Sequence, residues 1–500
     1  MSHSPSLKSI AMKSTKPHVA LLASPGMGHL IPVLELGKRL VVQHEFHVTI
    51  FVVATDTTTV ESHLRNLPNP KLLNVVSLPP VDISGLVDPD ASIVTKIIVM
   101  MRETVPALRS AIISITKNLR PTALVVDLFG SEAMAIADEF EMLKYVFIAS
   151  NAWFLSATAY FPTINKRLEE EHINEKKPLM IPGCKPVRFE DTLEAFLDPK
   201  DQVYVEYLRL GVEIPTADGI LINTWEDLES TTLAAMRDTT SLGRVTKVPV
   251  YPIGPLVRPV MQVRPAPVQE DSVLGWLEKQ PSESVIYVSF GSGGTLSSNQ
   301  MIELAWGLEL SQQRFVWVVR PPMDDDASGA FFKVDKNGSD GTPNYLPDGF
   351  LTRNSEKGFV VPMWAPQAEI LSHPSIGGFL THCGWNSTME SVVNGVPMIA
   401  WPLYAEQKMN ATMLTEELGV AVRSNEFSTN PIVEREEIER MVRKIMVDKE
   451  GDRIRSRVKD LKYSAHKALS IVGSSYNSLS KVAKACETSL QGQLSTARGA

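Results

Sequence analysis

The feature that most limits what this chain can become is a strand, glycine-turn, helix pattern that starts near Val19 and starts again near Val285. Residues 19–24 form an apolar run, Pro25-Gly26-Met27-Gly28-His29 is a tight turn, and residues 30–42 carry apolar side chains at helical spacing. Proline is tolerated in a helix's first turn, so Pro32 puts the expected helix start close to His29. Strand signals recur at 46–53, 73–78, 123–127, 145–149 and 219–223, separated by helical stretches. Residues 257–270 are proline-rich and aperiodic, a linker. The pattern then resumes with a strand at 285–290, a glycine turn at 291–294, a helix at 299–310 and a strand at 315–319. Apolar strands alternating with helices make a doubly wound parallel sheet. Two such α/β halves predict two Rossmann-like domains facing across a cleft, with ligands beyond the carboxyl ends of the strands.

The expected boundaries are an N-terminal domain over 1–256 (with 1–17 disordered), the linker, and a second domain over 271–460. A C-terminal helix over 461–490 packs back on the first half, and 491–500 is a frayed tail. The last helical signal runs over 452–487, and 323–344 is a polar insertion. A chain of 500 residues exceeds one core's usual capacity, which agrees with two domains.

One stretch, Trp364 to Gln407, carries the densest chemistry. A short apolar strand at 376–380 leads into the polar corner Thr381-His382-Cys383-Gly384-Trp385-Asn386-Ser387, then a helix at 388–394 stopped by Gly395. A second strand at 398–401 precedes Glu406-Gln407. A strand that delivers His, Asn and Ser to a helix start makes an anion site from free amide N–H groups and the positive dipole end. Trp364 offers a flat ring to a base, Glu390 can accept from ribose hydroxyls, and Glu406 and Gln407 can grip a sugar. Together these suit a nucleotide diphosphate sugar.

This run closely resembles the signature box of the plant secondary-product UDP-glycosyltransferases, inverting enzymes of glycosyltransferase family 1. The Tyr404-Ala405-Glu406-Gln407-Lys408-Met409-Asn410 ending and the run Ser289 to Leu296 look most like the hydroquinone, monolignol and small-phenol subgroup. The likeness extends from about His18 to about Ser489 and implies a GT-B fold. It implies that Trp364 stacks on uracil, that the Ala365 backbone pairs with it, and that Gln367 and Glu390 hold the ribose. It assigns His382, Asn386, Ser387 and Ser292 to the diphosphate, Trp385 to the neighbourhood of the sugar, and Glu406 and Gln407 to glucose hydroxyls. The family more often has Asp where this chain has Glu406.

His29 follows the first strand turn, and Asp127 ends the apolar run at 123–126, so parallel strands bring both to one sheet edge. The residues alone leave two readings open: a helix-start histidine beside a capping aspartate, or an imidazole base backed by a carboxylate. The family resemblance implies the second, with UDP-glucose as co-substrate, a small phenol as acceptor, and no cofactor or metal. Ser24, Gly28, Leu128 and Phe129 flank the pair and are expected to line the acceptor pocket, with regions 80–105 and 180–215 as its remaining wall. Ser150 and Asn151 are expected near the transferred sugar.

Other classes fit less well. A net charge of −8 argues against nucleic acid. Three cysteines are too few for a disulfide framework or a Cys-type metal site. Gly26-Met27-Gly28-His29-Leu30-Ile31 lacks the third glycine of a dinucleotide fingerprint. Asp88-Pro89-Asp90 and Asp324-Asp325-Asp326, candidate metal pairs, sit in loop-like contexts. A nucleotide-sugar-binding protein or a UDP-sugar epimerase of the same architecture is the alternative. No stretch reads as a signal or membrane span. Of the sequons at Asn337, Asn386 and Asn410, two fall at or just beyond the nucleotide box, so a cytoplasmic setting is expected; a monomer is expected as well.

Overall fold

The computed structural model describes residues 16–53, 69–117, 119–258, 272–324, 328, 345–424 and 432–499. The first sheet contains β1 (His18–Ala23), β2 (His47–Val52), β3 (Leu73–Ser77), β4 (Ala123–Asp127), β5 (Leu143–Ile148), β6 (Gly219–Ile222) and β7 (Val250–Pro252). They lie in the order β3-β2-β1-β4-β5-β6-β7, and every pairing is parallel. The second sheet contains β8 (Val285–Ser289), β9 (Arg314–Val319), β10 (Gly358–Pro362), β11 (Ile376–Thr381), β12 (Met398–Ala400) and β13 (Ala421–Arg423). Its order is β10-β9-β8-β11-β12-β13, again all parallel. This is the GT-B arrangement of two doubly wound sheets.

Helices cover both faces of the central strands, so β1, β4, β8 and β11 are buried at every residue. That is why they read as continuous apolar runs rather than as alternating ones. The strand order reverses between β1 and β4, and again between β8 and β11. Connections leave such a point in opposite directions and open a crevice at the carboxyl ends. Leu22 pairs with Val126 at the first reversal and Ser289 with Thr381 at the second. The helix start carrying His29, the strand end carrying Asp127, and the turns carrying Ser292 and His382 therefore all lie at these two crevices.

A single apolar cluster joins the halves: Ile148 and Trp153 belong to the same contiguous core as Tyr287, Phe379 and Met389. On the far face of the first sheet, Leu479, Val482, Ala483 and Cys486 of the C-terminal helix pack with Val19, Leu40 and Phe147. Trp225 of the first half donates its indole N–H to Ser464 Oγ at 2.9 Å.

Several expectations shift. The first helix spans Met27–His44, starting two residues before His29, so Pro32 lies beyond its first turn. Three of the seven residues of the expected corner are already helix: Trp385–Asn394 begins three residues early, leaving only His382 to Gly384 as the turn. The last helical signal is two helices, Lys449–Leu469 and Ser474–Gly499, broken where Val472 adopts φ 67°. Residues 491–499, expected to fray, continue the second of these. The expected disorder of 1–17, the linker and the 323–344 insertion lie mostly outside the described residues. Among the described residues no helix is long and apolar enough to cross a membrane.

Candidate active site

The carboxyl end of β4 places Asp127 at the floor of the cleft, its side chain wholly buried. Oδ2 lies 3.0 Å from His29 Nδ1, although 98 residues separate the two in sequence. Oδ1 accepts the Ser24 hydroxyl at 2.6 Å and the Phe129 amide at 3.3 Å. With Nδ1 committed to the carboxylate, Nε2 is left as the proton acceptor of a neutral ring. Burial lowers the His29 pKa, but the charge and hydrogen bond of Asp127, with the charge of Glu406, outweigh it and leave a net rise. Phe129 tilts against the imidazole with ring centres 5.1 Å apart.

The opposite wall is the start of helix Trp385–Asn394. Among the described residues no side chain caps its first N–H groups, so those donors are available to an anion. His382, just before it, is pulled down to about 4 by burial and by the charge of Arg320, and is neutral near pH 7. Its Nδ1 is buried without a partner among the described residues, a donor or acceptor left for a ligand. Gly291, at φ 73°, allows the ring to sit there: a Cβ at that position would lie 2.5 Å from His382 Nε2. Ser292, in the same turn, lines the cleft.

Gln367 donates to Ser387 Oγ at 2.9 Å and to Glu390 Oε2 at 2.7 Å. Burial lifts the Glu390 carboxyl to about 7. Trp364 stands at the mouth, 68% exposed, with Ala365 buried beside it; a large ring left open in this way is a stacking platform. At the other end Gln407 Oε1 accepts the amides of Leu403 at 2.9 Å and Tyr404 at 3.1 Å, which leaves its NH₂ group for a ligand. Burial raises the Glu406 carboxyl, and Ser150 Oγ donates to it at 3.4 Å.

One cavity of about 300 Å³ is lined by His29 and by every residue expected to hold the donor. Gly28, Leu128 and Phe129 also line it, as do Ile93, Val94 and Ile97 from region 80–105 and Tyr207 from region 180–215. Ser24 is placed differently: it is buried and stands behind Asp127, tying down the carboxylate instead of facing the pocket. Asp127 likewise stands behind His29 and does not line the cavity. Trp385 is anchored by its indole N–H on the Asn223 carbonyl at 2.8 Å, and Asn386 reaches across to the Gly28 carbonyl at 3.0 Å. Asn151 is buried at the interface, bonded to Asn410 at 2.6 Å. A glycan has no room on buried Asn410, and Asn337 lies outside the described residues. Asp88 accepts the Asp90 amide in an exposed turn and Asp324 accepts the Ser298 amide; Asp325 and Asp326 lie outside the described residues.

Sequence reasoning did not single out Arg320 or Phe154, which line the cavity, and reached Tyr207 and Glu194 only as part of region 180–215. Arg320 directly follows β9, so a polar residue at a strand's carboxyl end was the available signal. Phe154 and Tyr207 sit on helices whose apolar spacing is indistinguishable from core. Glu194, which accepts the Ala405 amide at 3.1 Å, comes from an irregular stretch with no period to read.

Comparison with known proteins gives the family. A family model described as UDP-glucoronosyl and UDP-glucosyl transferase matches residues 245–450. UDP-glycosyltransferase 72E1 of Arabidopsis thaliana is 57% identical over 493 residues, 98% of this chain and 100% of the relative. Anthocyanidin 3-O-glucosyltransferase 5 of Manihot esculenta is 56% identical over 483 residues, 96% of this chain and 98% of the relative. The crystal structure of TcCGT1 in complex with UDP has a TM-score of 0.86 at 48% identity, over 95% of this chain and 100% of that one. With matches of this length and identity, the chain belongs to the plant UDP-glycosyltransferases, in their 72 subgroup.

Proposed function

We propose that this glycosyltransferase is an inverting, UDP-glucose-dependent O-glucosyltransferase of small phenols. His29 Nε2 takes the acceptor's hydroxyl proton while the oxygen attacks the anomeric carbon. The bond from that carbon to the diphosphate breaks on the opposite face, and its electron pair leaves with UDP. The configuration inverts, so the α-linked donor gives a β-glucoside. Asp127 fixes the tautomer and stabilises the imidazolium as it forms. The leaving charge is met by the uncapped N–H groups of helix Trp385–Asn394, by His382, and by the hydroxyls of Ser292 and Ser387. Trp364 stacks on uracil, Gln367 and Glu390 hold the ribose, and Glu406 and Gln407 hold the glucose.

The observation that carries this reading is the 3.0 Å contact between His29 and Asp127, set across one cavity from an open helix start. The apolar wall of Ile93, Ile97, Leu128 and Phe129 suits a planar phenol, and the anthocyanidin relative acts, by its name, on such a ring system. Three unpaired cysteines fit a cytoplasmic setting.

The test is purified protein with UDP-glucose and a panel of hydroquinones, monolignols and flavonols, followed by mass shift and the anomeric coupling of the product. A β-glucoside that appears only with acceptor supports the reading. An α-glucoside overturns inversion. Sugar interconversion without acceptor favours an epimerase, and neither reaction favours a binding protein.

A further inference from the structure

We infer that Asn151 and Asn410 form a buried amide relay that aims the Gly384 amide at the diphosphate, making both positioning residues for donor binding. The inference rests on the proposed location of the diphosphate at this corner.

Both side chains are fully buried and come from opposite halves of the molecule. Asn151 caps helix Ala152–Tyr160, its Oδ1 accepting the Phe154 amide at 2.8 Å. Its Nδ2 donates to Asn410 Oδ1 at 2.6 Å, and Asn410 Nδ2 donates to the Cys383 carbonyl at 2.9 Å. The direction of the relay is unambiguous, because a backbone N–H ends it on one side and a backbone C=O on the other. An amide side chain supplies one acceptor and one donor face, and no other residue of this size passes a bond along in this way.

What the relay holds is a peptide plane. Cys383 adopts φ 64°, a left-handed conformation that a residue with a Cβ keeps only when its surroundings impose it. The Cys383 carbonyl and the Gly384 N–H belong to one planar trans peptide and point in opposite directions. Drawing the carbonyl toward Asn410 turns the Gly384 N–H the other way, toward the cavity that Gly384 lines. Gly384 is also the residue that opens helix Trp385–Asn394, so its N–H extends the row of donors there. The relay is complete only when the halves are together, since Asn151 belongs to one and Asn410 to the other.

Two substitutions separate the relay from folding. Asn410→Asp keeps the acceptor for Asn151 and loses the donor to Cys383. Asn151→Asp keeps the helix cap and loses only the donor to Asn410. The measurements are UDP affinity by calorimetry, KM for UDP-glucose, kcat, and melting temperature, all on the full chain. We expect Asn410→Asp to weaken UDP binding about tenfold or more, and Asn151→Asp to weaken it by a smaller factor. Acceptor KM and the pH limb set by His29 should stay unchanged. The double variant should be no worse than Asn410→Asp, because both act through one carbonyl. UDP affinity within about twofold of wild type in both folded variants overturns the inference, as does loss of melting temperature in Asn151→Asp without a change in UDP affinity. If the unaltered protein does not bind UDP at all, it is the location of the diphosphate that fails.

Discussion

Asn386 donates its side-chain amide to the carbonyl of Gly28, 3.0 Å away on the opposite half of the molecule. Helix geometry explains why that carbonyl is available. Its partner within helix Met27–His44 would be the N–H of residue 32, and residue 32 is proline. The helix gives up one internal bond, and the freed acceptor, next to His29, receives Asn386 from the other half.

Pro32→Ala tests this directly. The alanine N–H returns the helix bond and competes with Asn386 for the Gly28 carbonyl. The expected outcome is a higher melting temperature with a donor KM raised by about two- to fivefold, opposite signs from one substitution. Thermal melts and initial-rate kinetics on the same preparation check it; unchanged donor KM in a stabilised variant shows that the contact needs no vacant carbonyl.

Asp127→Asn should move the acid limb of the pH–rate profile. A base works only when neutral, so kcat/KM rises with pH through the His29 pKa. In the native protein Asp127 and Glu406 overcome burial and hold that pKa above its ordinary 6.5. Removing the Asp127 charge lets burial dominate, and the limb shifts to lower pH while the plateau falls by about a hundredfold or more. A limb that stays in place would assign it to another group.

Glu390, raised to about 7 by burial in the opposite half of the cleft, should make donor binding depend on pH if it holds the ribose as proposed. Its carboxylate form accepts from hydroxyls at both oxygens, whereas its protonated form does so at fewer sites. UDP affinity should therefore increase as pH rises through about 7, and Glu390→Gln should flatten that dependence. Calorimetric titrations at several pH values measure it, and a slope retained in the glutamine variant would exclude Glu390 as its source.

Much of this arrangement was readable before any coordinates. Central strands such as β1 and β11 are buried on both faces, so they appear as apolar runs, and the turns that follow them announce the cleft. The short edge strands β7, β10 and β13 went unrecognised, because three to five residues with mixed burial leave no period to detect. The early start of helix Trp385–Asn394 was hidden by its polar first turn, Trp385-Asn386-Ser387, which reads as a loop until the helix is seen to leave that turn uncapped. Ser24 turns to Asp127 instead of the pocket, since sequence locates a residue at a sheet edge without saying which way its side chain turns. The Asn151–Asn410 contact joins residues 259 apart and carries no local signal at all.

The most direct test of the account is His29→Ala, measured by single-turnover transfer from UDP-glucose to a phenol alongside UDP calorimetry. Removing the base while leaving the helix start, His382 and Trp364 in place predicts loss of transfer by at least about a hundredfold, with UDP affinity within about twofold of wild type. Transfer at the wild-type rate would remove His29 from the chemistry, and UDP affinity lost in parallel with rate would make it a binding residue instead of the base.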